Sequence, residues 1–245
     1  MLRNDNWHVS QFACVADLEN GKSGDICYIA DALLTIFTSG TSMAALEFNP
    51  VSVYSPDELE KVGNALIYLS EHTDKPSKTK VLKLLYLLDE FSVKGRGFPM
   101  FGLTYKVWQL GPVCEEVFID LSNEPALLKD YVTVEYDEKN LSTVRAKRAF
   151  DDGEFSDNDI KLMEHVAKTY KRSTAKTLVA ITHRESSLWY RLAKEKGLLE
   201  LFDKGATNNS EFTIDFKDLV AGDALKTQVY EHYVETMETH RALRS

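Results

Sequence analysis

Lys75, Lys78, Lys80 and Lys83 stand together at the start of an apolar helical stretch, and clustered cations of this kind hold phosphate groups. A short turn separates that stretch from a preceding helix, as in a helix-turn-helix reader, which makes Lys75, Lys78 and Lys80 possible nucleic-acid contacts. The preferred reading is different: the lysines solvate the exposed end of a buried helix, because the apolar residues from Val81 onward leave little face for a groove. The histidines are His8, His72, His165, His183, His232 and His240, and no two form a His-Glu-x-x-His pair. His232 and His240 lie two turns apart beside Glu231, Glu235 and Glu238, a pattern that a solvated helix face explains. Gly95-Arg96-Gly97 lacks the strand–helix setting of a nucleotide-binding turn. Asp151-Asp152 and Asp157-Asp159 fall in a loop and at a helix start, where acids belong on electrostatic grounds. No catalytic residue, metal ligand or cofactor is expected, and the chain is read as a non-enzyme.

Two further features test that reading. Gly40-Thr41-Ser42-Met43-Ala44 reproduces the pentapeptide around the nucleophilic serine of subtilisin-like proteases. A serine of that kind needs a histidine base and an orienting carboxylate. Only His8 precedes Ser42, the proline usual after the pentapeptide is absent, and too few residues lie upstream to build the sheet; coincidence is the better explanation. The three cysteines, Cys14, Cys27 and Cys114, are widely spaced with no Cys-x-x-Cys pair, so neither a disulfide framework nor a zinc ribbon is expected. Cys114 reads as a small core residue.

The composition sets the class. Of 245 residues, 44% are hydrophobic and only 12 are glycine and 6 proline, enough for a sizeable core and too ordered a mixture for a linker protein. No run approaches the ~20 apolar residues that span a bilayer, and the N-terminus has no signal-peptide pattern. A cytoplasmic protein away from membranes is expected. The net charge is −9, residues 1–50 carry −4 of it, and neither 51–150 nor 151–245 is net basic. General nucleic-acid affinity is therefore unsupported, while an acidic surface suits a basic protein partner.

The elements that must position these residues follow from capping and periodicity. Residues 1–54 read as an N-terminal extension of unknown role, closed by Asn49-Pro50. Ser55-Pro56-Asp57-Glu58 is a capping box that opens a helix ending near His72. A second helix, about Lys78 to Ser92, is apolar on most sides and therefore central. Leu103 to Leu110 reads as extended, and Gly111-Pro112 as the opening of a third helix. Val132 to Tyr136 and Val144 to Phe150 alternate around turn residues and form a hairpin. Ser156 with Asp159 caps a helix; two more follow at about 174–183 and 186–196; Phe212, Ile214 and Phe216 alternate briefly; a last amphipathic helix covers 223–242. The fold class is α+β, predominantly α-helical: one helical core domain over 55–245 with a small β-hairpin, plus the extension.

Three blocks taken together resemble one family. They are Lys83-Leu84-Leu85-Tyr86-Leu87-Leu88-Asp89; Gly102 to Val113, containing Tyr105, Trp108, Gly111 and Pro112; and Thr182-His183-Arg184-Glu185-Ser186-Ser187-Leu188-Trp189. Their order and spacing over about residues 55–195 resemble the Panacea domain, the SocA-like antitoxin domain of bacterial and phage toxin–antitoxin loci. Leu188 departs from it, since a proline usually precedes the tryptophan. The resemblance implies an antitoxin that neutralises a cognate protein toxin by direct binding, with a protease or chaperone as a further partner if it acts as a proteolytic adaptor. The alternative is a helix-turn-helix-like autoregulatory DNA-binding protein. Among the motif residues, Lys83, Tyr86, Asp89, Tyr105, Trp108, Gly111, Pro112, His183 and Trp189 are the candidate partner-binding or fold-determining positions. Trp108 and Trp189 are apolar anchors whose indole N–H groups need acceptors.

Overall fold

The computed structural model describes residues 54–244, all within one compact unit, Pro50–Ser245. Ser42, Cys14, Cys27, His8 and the rest of the extension lie outside the described residues. The organising element is a helix buried on nearly every side. Helix α1, Pro56–His72, starts at the expected capping box: the Glu58 amide donates to Ser55 Oγ (3.2 Å) and the Ser55 amide to Glu58 Oε2 (2.6 Å). Ser77 caps α2, Lys78–Arg96, which ends at Gly97 in the left-handed region. Every residue of α2 from Lys80 to Glu90 is buried. It packs against α1 on one side and, further along the chain, against α3 (Glu115–Asp120), α4 (Asp157–Tyr170) and α5 (Ala175–Thr182). A helix enclosed in this way needs apolar residues all round rather than a stripe, which the run Val81 to Leu88 supplies.

Two antiparallel hairpins complete the α+β fold. In the first, β1 (Lys106–Trp108) pairs with β2 (Gly111–Val113), Val107 opposite Pro112 and Trp108 opposite Gly111. This corrects the expectation that Gly111-Pro112 opens a helix. The pair lies in a strand, proline's missing amide is harmless at a sheet edge, and α3 begins later, at Glu115. The second hairpin, β3 (Val132–Tyr136) with β4 (Ser142–Ala146), is the expected one, but β4 starts two residues early. Asn140 adopts a positive φ of 59°, which tightens the turn. Segment 212–214 lies along β1: Val107 donates to Phe212 O and Ile214 to Tyr105 O.

Helix α4 opens on the Ser156–Asp159 capping box. Asp159 also pairs with Arg96 and, at 3.5 Å, Lys61. Although burial pushes its carboxyl upward, the Ser156 amide and those two cations hold it below the usual carboxylate range. Helix α6 spans Leu188–Glu195 and a short α7, not foreseen from periodicity, spans Leu198–Asp203. The last helix, α8, is Ala224–Arg244. The main core gathers α1 to α5 and the second hairpin, and a second cluster of Val107, Trp189, Ala193, Leu198 and Phe202 joins α6 and α7 to β1.

Candidate functional site

The motif residues converge on the junction of α2, the β1–β2 hairpin, α5 and α6. Lys83, Tyr86 and Asp89 recur every three residues along one side of α2, so one helix face meets both the hairpin and the loop that leads into it. Lys83 is 1% exposed and its Nζ donates to Pro112 O at 2.8 Å. Among the described residues it pairs with no carboxylate. Burial pulls the Lys83 ammonium down to about 7.

Gly111 lies against this lysine with φ +97°, a conformation that L side chains rarely adopt. A Cβ there would stand 2.7 Å from Thr182 Oγ1 and 3.1 Å from Lys83 Cε. Glycine is thus required twice, by torsion and by space. Thr182 closes α5, and the next residue, His183, stacks on Trp189 with ring centroids 3.7 Å apart and planes within 2°. Burial, and secondarily the neighbouring Lys83 charge, pulls the His183 imidazole down to about 4. Trp189 Nε1 donates to Trp108 O at 2.9 Å, the acceptor its indole requires, and Trp108 packs edge-on against Phe118. Together, Pro112, Gly111, Lys83, His183, Trp189 and Trp108 form one continuous set of contacts.

Nearly two turns beyond Lys83 on α2, Asp89 is fully buried. Its Oδ1 accepts the Phe101 amide (2.7 Å) and its Oδ2 the Tyr105 hydroxyl (2.9 Å). Desolvation outweighs these donors and raises the carboxyl to about 6. Tyr105 meets Tyr86 edge-to-face at 5.1 Å, and Phe216 packs on both rings. The Tyr86 phenol is raised by burial and then by the nearby Glu90 carboxylate. Asp89 therefore pins the loop after α2, and Tyr86 and Tyr105 fill the space beneath it.

The lysines of the cluster divide by burial. Lys80 is 1% exposed, and its Nζ donates to Asp74 O (2.7 Å) and Lys171 O (2.8 Å). It ties the α1–α2 turn to the C-terminal end of α4, where carbonyls lack intrahelical partners. Lys78 Nζ bonds Ser122 Oγ (2.8 Å) and lies 4.5 Å over the Phe118 ring. Only Lys75 is exposed and without such a tie. Side chains spent on internal oxygens are unavailable to phosphate, and they do not solvate the helix end either. Cys114 is buried beside the Tyr54 hydroxyl, and burial pushes its thiol up to about 11. Among the described residues no group of three or more His, Cys, Asp or Glu is placed to hold a metal ion, and no helix is long and apolar enough to cross a membrane.

Sequence reasoning missed a cleft of about 210 Å³ between α6 and residues 213–218. Leu188, Leu192 and Ile214 wall it, with Arg191, Glu195, Asp215 and Asp218 at its polar positions. The signal was present in the i, i+3, i+4, i+7 spacing of Leu188, Arg191, Leu192 and Glu195, which places all four on one helix face.

Comparison with known proteins agrees with the geometry. Residues 81–190 match the model of the antitoxin SocA-like, Panacea domain. The match starts inside α2 and ends in α6, so it contains every convergent residue from Lys83 to Trp189, while α1 lies outside it. No curated protein and no solved structure matches the chain.

Proposed function

We propose that this chain, a member of the Panacea-domain, SocA-like antitoxin family, is the antitoxin of a toxin–antitoxin pair and neutralises its toxin by binding it. The observation that carries the reading is the match to an antitoxin domain over residues 81–190. The geometry supports a binding protein over an enzyme. Two ionisable motif residues are spent inward: Lys83 on Pro112 O, and Asp89 on Phe101 N and Tyr105 Oη. A catalytic group needs reach to a reacting atom, and neither has it. The inward geometry of Lys80 likewise favours this reading over the DNA-binding alternative.

The partner is a protein toxin, and the site of action is the cytoplasm. The test is growth rescue: the product of the neighbouring gene is induced in a bacterial host with and without this chain. Restored colony formation, with co-purification of the two proteins in a stoichiometric complex, is the expected result. A neighbour that is toxic and remains equally toxic in the presence of the folded chain refutes the proposal.

A further inference from the structure

The cleft beside α6 carries the next step, which rests on the partner-binding reading above. Its walls are Leu188, Leu192 and Ile214, and its polar groups are one cation, Arg191, against three carboxylates, Glu195, Asp215 and Asp218. The carboxylates are incompletely used. Arg191 reaches Asp218 at 3.3 Å through side chains that are 49% and 65% exposed, and Lys196 reaches Glu195 at 2.8 Å at the surface. Ion pairs this exposed are weak and exchange readily. Asp215 is held firmly, but on one oxygen: Tyr230 Oη (2.9 Å) and the Lys217 amide (2.8 Å) both donate to Oδ1.

A mainly polar cleft with three aliphatic walls and excess carboxylate matches a long cationic side chain, whose methylene stem packs on the leucines while its head takes the acids. Guanidinium fits better than ammonium, because its planar fork binds carboxylate bidentately and its weak hydration tolerates apolar walls. We propose that this cleft is the docking pocket for an arginine side chain presented by the protein partner of this chain. The partner's arginine displaces Arg191 from Asp218 and lies along Leu188 and Leu192.

Two measurements on the full chain test this. In the first, backbone amide NMR signals are followed while the tripeptide Gly-Arg-Gly, blocked at both ends, is added; the same peptide with citrulline in place of arginine is the control. The arginine peptide is expected to shift amides of residues 188–195 and 213–218 and the citrulline peptide is not. In the double variant Glu195→Gln, Asp218→Asn, binding of the arginine peptide should weaken at least tenfold with an unchanged circular dichroism spectrum. Equal shifts with citrulline, or no shifts in the cleft, overturn the proposal. In the second, the toxin from the growth assay is titrated against wild type and the double variant. A loss of at least tenfold in affinity is expected, and unchanged affinity overturns the pocket while leaving the antitoxin reading intact. Failure of the wild-type chain to bind any toxin overturns the antitoxin reading alone, since the peptide titration still reads the pocket.

Discussion

Replacing Lys83 by methionine, which keeps the length of the side chain and removes the amine, should stabilise the protein at neutral pH. The Lys83 ammonium titrates near 10.5 in an unfolded chain and is pulled down to about 7 by burial. Each pKa unit is worth about 1.4 kcal/mol, so at pH 7 the native state bears a penalty on the order of 4 kcal/mol for this one group. Against it stands the bond from Nζ to Pro112 O, whose loss leaves a buried carbonyl unsatisfied at ~1–3 kcal/mol. The net expectation is a gain of ~1–3 kcal/mol for Lys83→Met. The pH dependence gives the sharper test. Below pH 7 both states hold the proton and the penalty is complete; as pH rises above 7 the native amine sheds it while the unfolded one keeps it. Stability of the wild type therefore climbs with pH, by about 2 kcal/mol between pH 7 and 9. Urea unfolding followed by tryptophan fluorescence, run on both proteins across that interval, should show the advantage of the variant shrinking by that amount. The Cys114 thiol and the buried phenols titrate alike in both proteins and cancel in the difference. His183, held near 4, lies below the interval. A variant that loses more than 2 kcal/mol at pH 7, by a margin that stays constant to pH 9, refutes the account and places a charged, well-partnered lysine at this position.

The other predictions concern the same junction. Gly111→Ala forces a Cβ against Thr182 Oγ1 at 2.7 Å in a left-handed conformation; a loss of ~2–4 kcal/mol in urea unfolding is expected. Asp89→Asn should flatten the acid limb of the stability profile. The native carboxyl titrates at about 6 against 3.8 unfolded, so the wild type loses about 2 kcal/mol as pH rises from 4 to 6, and a variant with the same slope contradicts the assignment. Lys80→Ala releases the carbonyls of Asp74 and Lys171 and should cost ~2–4 kcal/mol, with faster hydrogen exchange at the α1–α2 turn; a surface lysine would cost a few tenths.

Much of the fold was legible because its signals are local. Ser55-Pro56-Asp57-Glu58 and Ser156 to Asp159 carry their helix starts in four residues each, and both capping boxes form. The hairpin at 132–146 follows from strict alternation about a turn. Gly111-Pro112 misled because the same dipeptide suits a helix entry and a sheet edge; the choice is made by Lys106 to Trp108, which pair with it across a two-residue turn. Helix α7 was too short for its period to show. The lysines misled for a deeper reason. Their acceptors are backbone oxygens of Lys171 and Pro112, distant in sequence and carrying no side-chain signature. A lysine that will be buried looks the same in a sequence as one that will be solvated.

That distinction bears on what the motif residues do in this fold. Lys83, Asp89 and Trp189 spend their polar atoms on main-chain groups or on another buried motif residue. Main-chain acceptors survive any change of surface side chain, so this network holds α2, the first hairpin and α6 in register whatever the exterior carries. The exposed cleft residues are less constrained: Arg191 pairs with Asp218 and Glu195 with Lys196 at the surface. Substitution at the junction should therefore act through stability, upward for Lys83→Met and downward for Gly111→Ala, and move every activity of the chain together with it. Substitution in the cleft should alter partner affinity with the unfolding midpoint unchanged. A variant set scored on both axes separates the two roles, and a junction variant that loses toxin binding at full stability would assign the motif to the interface instead.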